Sequence, residues 1–344
     1  PTPDLKWEST AMFNIGVDFQ LFNGRLGGTV EYYSKKTSDM LYDYAVPTPT
    51  YVYKKIAANV GDMSNKGIEV MLNLDVIRNK SFNWNTSINL SHNKNEITKL
   101  SNDLFSTSRV YVGDPWIRGA SGVTSHVVEE GYPVGQFFML KCNGIDENGK
   151  FIMEDVNKDG KLDYNDYVYL GSDDPKISFS FNGGIEWNNF DLSVVFQGVA
   201  QRTIFRTGSN NGNETWRIPM KATYLNISNQ SVGNTWTPEN PNAHYPTYSN
   251  NETINAYNYQ ASSWAVENGT YVRLKNVTLG YTFPKEILAK TKVISSARLY
   301  VTGADLWEFS KINDGWDPEA SKNVSGTGRY PFVRTVTFGL NVAF

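Results

Sequence analysis

The sequence predicts an all-β fold, the C-terminal portion of a large antiparallel transmembrane β-barrel with long extracellular loops. Three observations predict it. Apolar and polar residues alternate strictly over long segments, the two-residue period of strands with two different faces. The polar positions in those segments are Asn, Ser, Thr and Gly, not the Lys and Glu of a water-facing surface. Short turns alternate with long polar connections, and outer-membrane barrels pair short periplasmic turns with long extracellular loops.

The elements follow in order. Residues 8–22 place Ala11, Phe13, Ile15, Val17, Phe19 and Leu21 on one face and Asn14, Gly16, Asp18 and Gln20 on the other. A turn around Asn23-Gly24 leads into 25–41. A polar segment, 43–65, precedes 66–78, where Ile68, Val70, Leu72, Leu74 and Val76 alternate again. Arg78 to Ser81 turns into 82–98, with Phe82, Trp84, Thr86, Ile88 and Leu90 set against Asn83, Asn85, Ser87, Asn89 and Ser91. Beyond the long segment 99–175, Asn188-Asn189 joins 176–188 to 190–201. The segment 202–269 is the next long connection, followed by 271–284 with Val277, Leu279, Tyr281 and Phe283 on one face. A longer turn, 284–296, leads to 297–309; the polar 313–330 leads to 331–344, where Val336, Phe338, Leu340, Val342 and Phe344 oppose Thr335, Thr337, Gly339, Asn341 and Ala343.

A soluble β-sandwich also alternates. Its strands average about 5–6 residues, shorter than these, and its outer face is charged. Here aromatics gather at strand ends instead (Tyr32, Tyr33, Tyr42, Tyr44, Trp187, Tyr281, Phe283, Trp307, Phe309), as in the aromatic girdles of a membrane barrel. Mean hydropathy is −0.43. No apolar run approaches the ~20 residues of a spanning helix, whereas a spanning strand needs only ~9–11, half of them free to be polar.

Connection parity organises the rest. Reading back from a periplasmic C-terminus gives about nine spanning strands. Pro133 to Ile145 also reads as a strand, but counting it would put the tight turns outside. It therefore belongs to the extracellular excursion 99–175. Nine strands do not close an even-numbered barrel, and an open edge in lipid leaves backbone groups unpaired at several kcal/mol each. The whole stretch 1–344 thus reads as one part of a larger barrel, completed by an N-terminal segment. The opening Pro1-Thr2-Pro3-Asp4, without Met or an apolar leader, fits a fragment or a mature piece.

Composition excludes several functions. A net charge of −3 provides no basic footprint for nucleic acid. The single cysteine, Cys142, excludes an internal disulfide framework and a Cys-rich metal site; it reads as a small, semi-buried side chain. His92, His126 and His244 are far apart and no G-x-S-x-G pattern is present, so no catalytic residues are assigned.

The sharpest local motif is Asp155-x-Asn157-x-Asp159-Gly160-x-x-Asp163-x-x-Asp166. Oxygen ligands at positions 1, 3 and 5, Gly at 6, a backbone carbonyl at 7 (Lys161) and an acid at 12 are the spacing of an EF-hand-type Ca²⁺ loop. Asp163 would ligate directly or through water. Carboxylates this close repel one another without a cation. Asp166 is shorter than the usual Glu and resembles the dockerin version. The competing reading is a solvated acidic turn. Within 202–269, Trp216, Trp236, Trp264, Tyr224, Tyr245, Tyr248, Tyr257 and Tyr259 crowd together. Their rings can stack on a glycan or contact a lid protein, and loop packing explains them equally.

Several stretches resemble SusC/RagA-type TonB-dependent transporters: Pro3-Asp4-Leu5-Lys6-Trp7-Glu8, Asn65-Lys66-Gly67-Ile68-Glu69, Asp155-Val156-Asn157-Lys158-Asp159-Gly160-Lys161 followed by Gly171 and Pro175-Lys176, Phe190-Asp191-Leu192-Ser193, and Tyr271 to Tyr281. The resemblance implies a barrel of about 22 strands around an N-terminal plug, with TonB contacted through the part missing here. It implies import of oligosaccharides, or sometimes peptides, with a SusD-like lipoprotein in the outer membrane of a Bacteroidetes-type bacterium. A passive porin-like barrel and a soluble carbohydrate-binding protein are the alternatives. The run Phe338, Leu340, Val342, Phe344, ending in an aromatic, resembles the signal read by the outer-membrane assembly machinery.

Overall fold

A computed structural model describes residues 5–45, 55–101, 107–113, 124–205, 232–247, 251–258, 260–312, 317–319 and 333–344. Strands β1 (Ser9–Leu21), β2 (Leu26–Ala45), β3 (Lys55–Arg78) and β4 (Phe82–Lys99) are followed by an excursion holding β5 (Arg109–Val112), β6 (His126–Glu129), β7 (Gln136–Leu140), β8 (Cys142–Ile145), β9 (Phe151–Met153) and β10 (Tyr167–Ser172). After β11 (Ile177–Trp187) and β12 (Phe190–Ala200), a second long connection carries β13 (Thr203–Phe205), α1 (Glu252–Asn258) and β14 (Val266–Asn268). Strand β15 (Tyr271–Thr282), helix α2 (Lys285–Leu288), β16 (Ser296–Ser310) and β17 (Thr335–Ala343) complete the series.

Nine strands pair into one sheet in the order β1-β2-β3-β4-β11-β12-β15-β16-β17, and every pairing is antiparallel. These are the nine strands that parity requires. The segment 43–65 differs from expectation: β2 and β3 pair as far as Ala45 and Lys55, so most of that polar stretch is strand. Its Asn and Ser residues satisfy the polar face of a strand as readily as a loop.

Register shows why the alternation is there. Directly paired residues share a face. One row runs Phe19, Gly28, Leu72, Ile88, Phe181, Phe196, Leu274, Trp307 across eight strands; the next on the same face runs Val17, Val30, Val70, Leu90, Phe179, Gly198, Val272, Phe309. The row between them points the other way: Asp18, Thr29, Met71, Asn89, Ser180, Gln197, Arg273, Glu308. A bulge between Asp75 and Ile77 moves Ile77, in place of Val76, opposite Trp84. Several apolar-face glycines lie under an aromatic of the paired strand: a Cβ at Gly28 would meet the Phe19 ring, and one at Gly198 the Phe179 ring. On the polar face Tyr33 covers Gly67 and Tyr300 covers Gly339 in the same way.

The run Pro133–Ile145 lies outside the nine-stranded sheet. It divides into β7, in a four-stranded sheet ordered β10-β7-β6-β5, and β8, which pairs with β9. Among the described residues the buried apolar clusters form around it: Phe137 and Met139 with Ala261 of the second long connection, and Leu140 with Phe151 and Met153.

Candidate functional site

The turn 155–166 is built by its own side chains. Asp155 accepts from the amides of Asp159 (3.3 Å) and Gly160 (2.9 Å); Asn157 Oδ1 accepts from Asp159 N (3.0 Å); Asp159 accepts from Lys161 N (2.8 Å); Asp163 accepts from Asn165 N (2.7 Å). Asp166 is fully buried and accepts from Val156 N (2.8 Å), Asn157 N (3.4 Å) and Asp163 N (2.9 Å). The Asp163 amide, then those of Asn157 and Val156 and contact with the Asp155 carboxyl, hold Asp166 below the usual carboxylate range against its burial. The donor set is the hard, all-oxygen kind that Ca²⁺ takes. Among the described residues, no group of three or more His, Cys, Asp or Glu is drawn together as a metal site: the carboxylates face loop amides.

That turn positions a tyrosine. Tyr164, in the 3₁₀ turn Tyr164–Asp166, packs on Tyr111 (4.8 Å between centroids) and Tyr167 (5.1 Å). Pairing in the four-stranded sheet puts Tyr167, Tyr169, Phe138, Glu129, Tyr111 and Arg109 on one face. Tyr132 stacks on Tyr169 at 4.2 Å, Arg109 pairs with Glu129 at 2.8 Å and lies over Phe138, and Tyr169 donates to Glu129 at 2.6 Å. Tyr111, Tyr164 and Tyr169 stay exposed. Burial, with Tyr164 and Tyr111 adding, pushes Tyr167 up to about 12. The opposite face is sealed by the Phe137 cluster. Sequence reading missed this surface, whose tyrosines are spread from 111 to 169 and converge only through strand pairing.

The aromatics of 202–269 are differently placed. Trp216 and Tyr259 lie outside the described residues. Tyr257 and Trp264 pack on the Leu140–Phe151–Met153 cluster, Trp264 5.2 Å from Phe151 and 5.2 Å from His244, and Lys150 sits over Tyr257. Trp236 joins Tyr245 through its backbone amide (2.9 Å) and lies against Gly149.

A second site on the polar face escaped sequence reading. Arg273, 1% exposed, pairs with Glu308, Asp317 (2.6 Å) and Glu319. Lys275 pairs with Glu319 at 3.0 Å, and Tyr271 and Gln197 donate to Glu319 at 2.9 and 3.0 Å. Arg273 and Lys275, two apart on β15, share the polar face by strand alternation; the bulge between Leu274 and Asn276 leaves Lys275 unpaired and brings Asn276 to that face as well. Arg202 donates to the carbonyls of Pro318 (2.5 Å) and Asp173 (3.1 Å). Segments of three long connections therefore meet at the wall. Beside them a cleft of about 1060 Å³ is lined by Lys94, Asn95, Tyr132, Gln136, Lys176, Arg202, Glu267 and Asn268, among others.

The histidines lie apart. His92 of β4 pairs with Ile68 and Ile177; His126 begins β6, touching its chain neighbour Ser125 (2.8 Å) and Phe137. Cys142 is half-buried, and burial raises its thiol. Phe338, Leu340, Val342 and Phe344 are exposed on the edge strand β17 and its end.

Residues 1–304 match the family described as TonB dependent receptor-like, beta-barrel. The chain belongs to this family. TonB-dependent receptor P26 of Formosa agariphila is 32% identical over 99% of the chain, which covers 35% of that protein. TonB-dependent receptor SusC of Bacteroides thetaiotaomicron is 29% identical over 99% of the chain and 32% of its own length. The structure described as the RagAB peptide transporter superposes with a TM-score of 0.81 at 28% identity, covering 99% of this chain and 36% of that one. The chain spans about a third of the length of these relatives, and the match falls on their C-terminal part. As part of a TonB-dependent receptor barrel, the nine-stranded sheet is an arc that does not close. Its apolar face is the one an outer-membrane barrel turns to lipid, and its polar face is the lumen wall.

Proposed function

We propose that the complete protein imports large nutrients, oligosaccharides or peptides, across the outer membrane of a Bacteroidetes-type bacterium. In this reading the N-terminal segment supplies the plug, the TonB contact and the remaining strands, and a SusD-like lipoprotein sits over the mouth. One observation carries the reading: an uninterrupted nine-stranded arc with one apolar and one polar face, overlapping the RagAB peptide transporter at a TM-score of 0.81. The wide cleft at the long-connection end, which offers Lys94, Asn95, Gln136, Lys176, Arg202 and Asn268 as hydrogen-bonding side chains, supports a hydrogen-bonding cargo. The test is uptake of labelled oligosaccharides and oligopeptides by cells with and without the full-length gene. Uptake that disappears with the gene, and equally with TonB, is expected. Uptake independent of both rules the reading out.

On this reading the long connections are extracellular, the residue 338–344 run is the assembly signal, and turn 155–166 holds a structural Ca²⁺ through Asp155, Asn157, Asp159, Asp163, Asp166 and the Lys161 carbonyl. Extracellular modules bind Ca²⁺ at about 10⁻⁴–10⁻³ M. Terbium bound there would be sensitised by Tyr164 and its neighbours Tyr111 and Tyr167. Calcium should displace it, and Asp155→Asn with Asp159→Asn should abolish the signal. For sidedness, Glu147→Cys in a Cys142→Ser background should label from outside intact cells.

A further inference from the structure

The turn end of the arc carries a basic surface that import does not use. At this end Trp187, Phe190, Tyr281 and Phe283 form a chain of rings, with successive centroids 6.3, 4.8 and 5.3 Å apart, the arrangement of an interfacial aromatic belt. The connection that follows contains α2, which touches β16. Leu288 of α2 and Ala297 of β16 are both buried, and Ala297 lies on the apolar face opposite Val342. The helix thus covers the rim of the lipid-facing side. Its other side chains are not covered: Ile287 is 52% and Val293 63% exposed, and Lys285, Lys290 and Lys292 around them are exposed. Glu286 is the lone acid between Phe283 and Ser295. Arg25 and Lys80, in two other turns at the same end, are also exposed.

We propose that the segment Lys285–Val293 is a docking site for anionic phospholipid headgroups in the leaflet at the turn end. This rests on the reading of the apolar face as lipid-facing, with which the segment is continuous. Ile287 and Val293 enter the acyl boundary, and the three ammonium groups reach back to the phosphates. A lysine held at an anionic surface strengthens binding about fivefold.

The test places the full-length protein in nanodiscs of phosphatidylcholine with a minority of phosphatidylglycerol, and native mass spectrometry counts the lipids that stay bound. Wild-type protein should retain phosphatidylglycerol preferentially. Lys285→Gln, Lys290→Gln and Lys292→Gln together, at about fivefold each, should remove essentially all of that enrichment, with melting in pure phosphatidylcholine unchanged. Arginine at the same three positions should keep it. If the triple glutamine variant fails to insert, the three single variants carry the test, each losing part. Equal enrichment in wild type and glutamine variants, or none in wild type, overturns the proposal. Failure to enter any bilayer overturns it too, and separately removes the lipid-facing reading.

Discussion

The spanning arc and the excursion between β4 and β11 use the same residue types in opposite ways. In the arc, apolar side chains alternate and face outward; Phe338 is 79% exposed. In the excursion, β7 reads Gln-Phe-Phe-Met-Leu and is buried at all five positions, with Phe137 only 2% exposed. The difference is the solvent. A strand whose partner is lipid needs no covering layer, whereas a strand in water must be covered on its apolar face. The excursion therefore shares a small core with the second long connection, Phe137 and Met139 packing on Ala261, whereas the described strands of the arc form no such cluster.

The largest effects should separate the two regions. Phe137→Ala should cost the excursion about 3–5 kcal/mol and leave the arc intact. Hydrogen exchange on the full-length protein should lose protection over 126–172 and keep it over 177–200. If both lose protection together, the regions form one cooperative unit and the contrast fails. The converse is Phe181→Arg, which should cost about 2–4 kcal/mol near mid-bilayer, while its neighbour Ser180→Arg is tolerated. Equal tolerance in a folding assay would invert or erase the faces.

Arg273 stands where the regions meet. Arg273→Met leaves Glu308, Asp317 and Glu319 facing one another, with Lys275, Tyr271 and Gln197 still on Glu319 and, among the described residues, Lys275 the one cation left against them. Removing one member of a buried ion cluster costs about 3 kcal/mol here, the lower end of the usual range because the carboxylates stay partly wet. Proteolysis near 317–319 should accelerate, and unchanged cleavage would show that the connection is held by other contacts. A smaller effect is expected at Gly339, whose missing side chain is occupied by the Tyr300 ring. Gly339→Ala should cost about 1–3 kcal/mol by overpacking, and Tyr300→Ala in the same chain should recover part of it. Full additivity would mean that the ring and the glycine act separately.

The arc was legible because lipid imposes a two-residue period and closure imposes parity. Those constraints gave all nine strands and kept Pro133–Ile145 out of the sheet. They did not set strand ends: β3 begins at Lys55 because Asn and Ser are as acceptable on a lumen-facing strand as in a loop. The sites were less legible. The acidic turn is local, so its spacing lay in the sequence. The tyrosine face joins residues as far as 60 positions apart and the Arg273 cluster residues as far as 122 apart, meeting through register and long connections that no local pattern encodes. Of the crowded aromatics of 202–269, Tyr257 and Trp264 pack on the Leu140–Phe151–Met153 cluster, a contact between distant segments that their sequence positions do not encode.

The smallest effect sharpens the contrast from inside the excursion. Asp166 is held below the ordinary carboxylate range, first by the Asp163 amide, and an unfolded aspartate titrates near 3.9. Because the folded value is depressed, its contribution is fully present above about pH 4 and is lost as pH falls through the folded value. Glu154, lowered chiefly by Lys141 at 2.7 Å, acts with the same sign. Acid should therefore loosen the turn around Tyr164 before it disturbs the arc, whose wall is pinned by strand pairing. Pepsin cleavage within 155–172 of the full-length protein, followed down through pH 4, should rise while 177–200 stays resistant. Asp166→Asn keeps an acceptor but has no proton to take up. It should be cleaved more readily at neutral-side pH, with most of the acid-dependent rise removed. An unchanged acid transition in that variant would place the sensitive group elsewhere, with Glu154→Gln the next variant to separate the two.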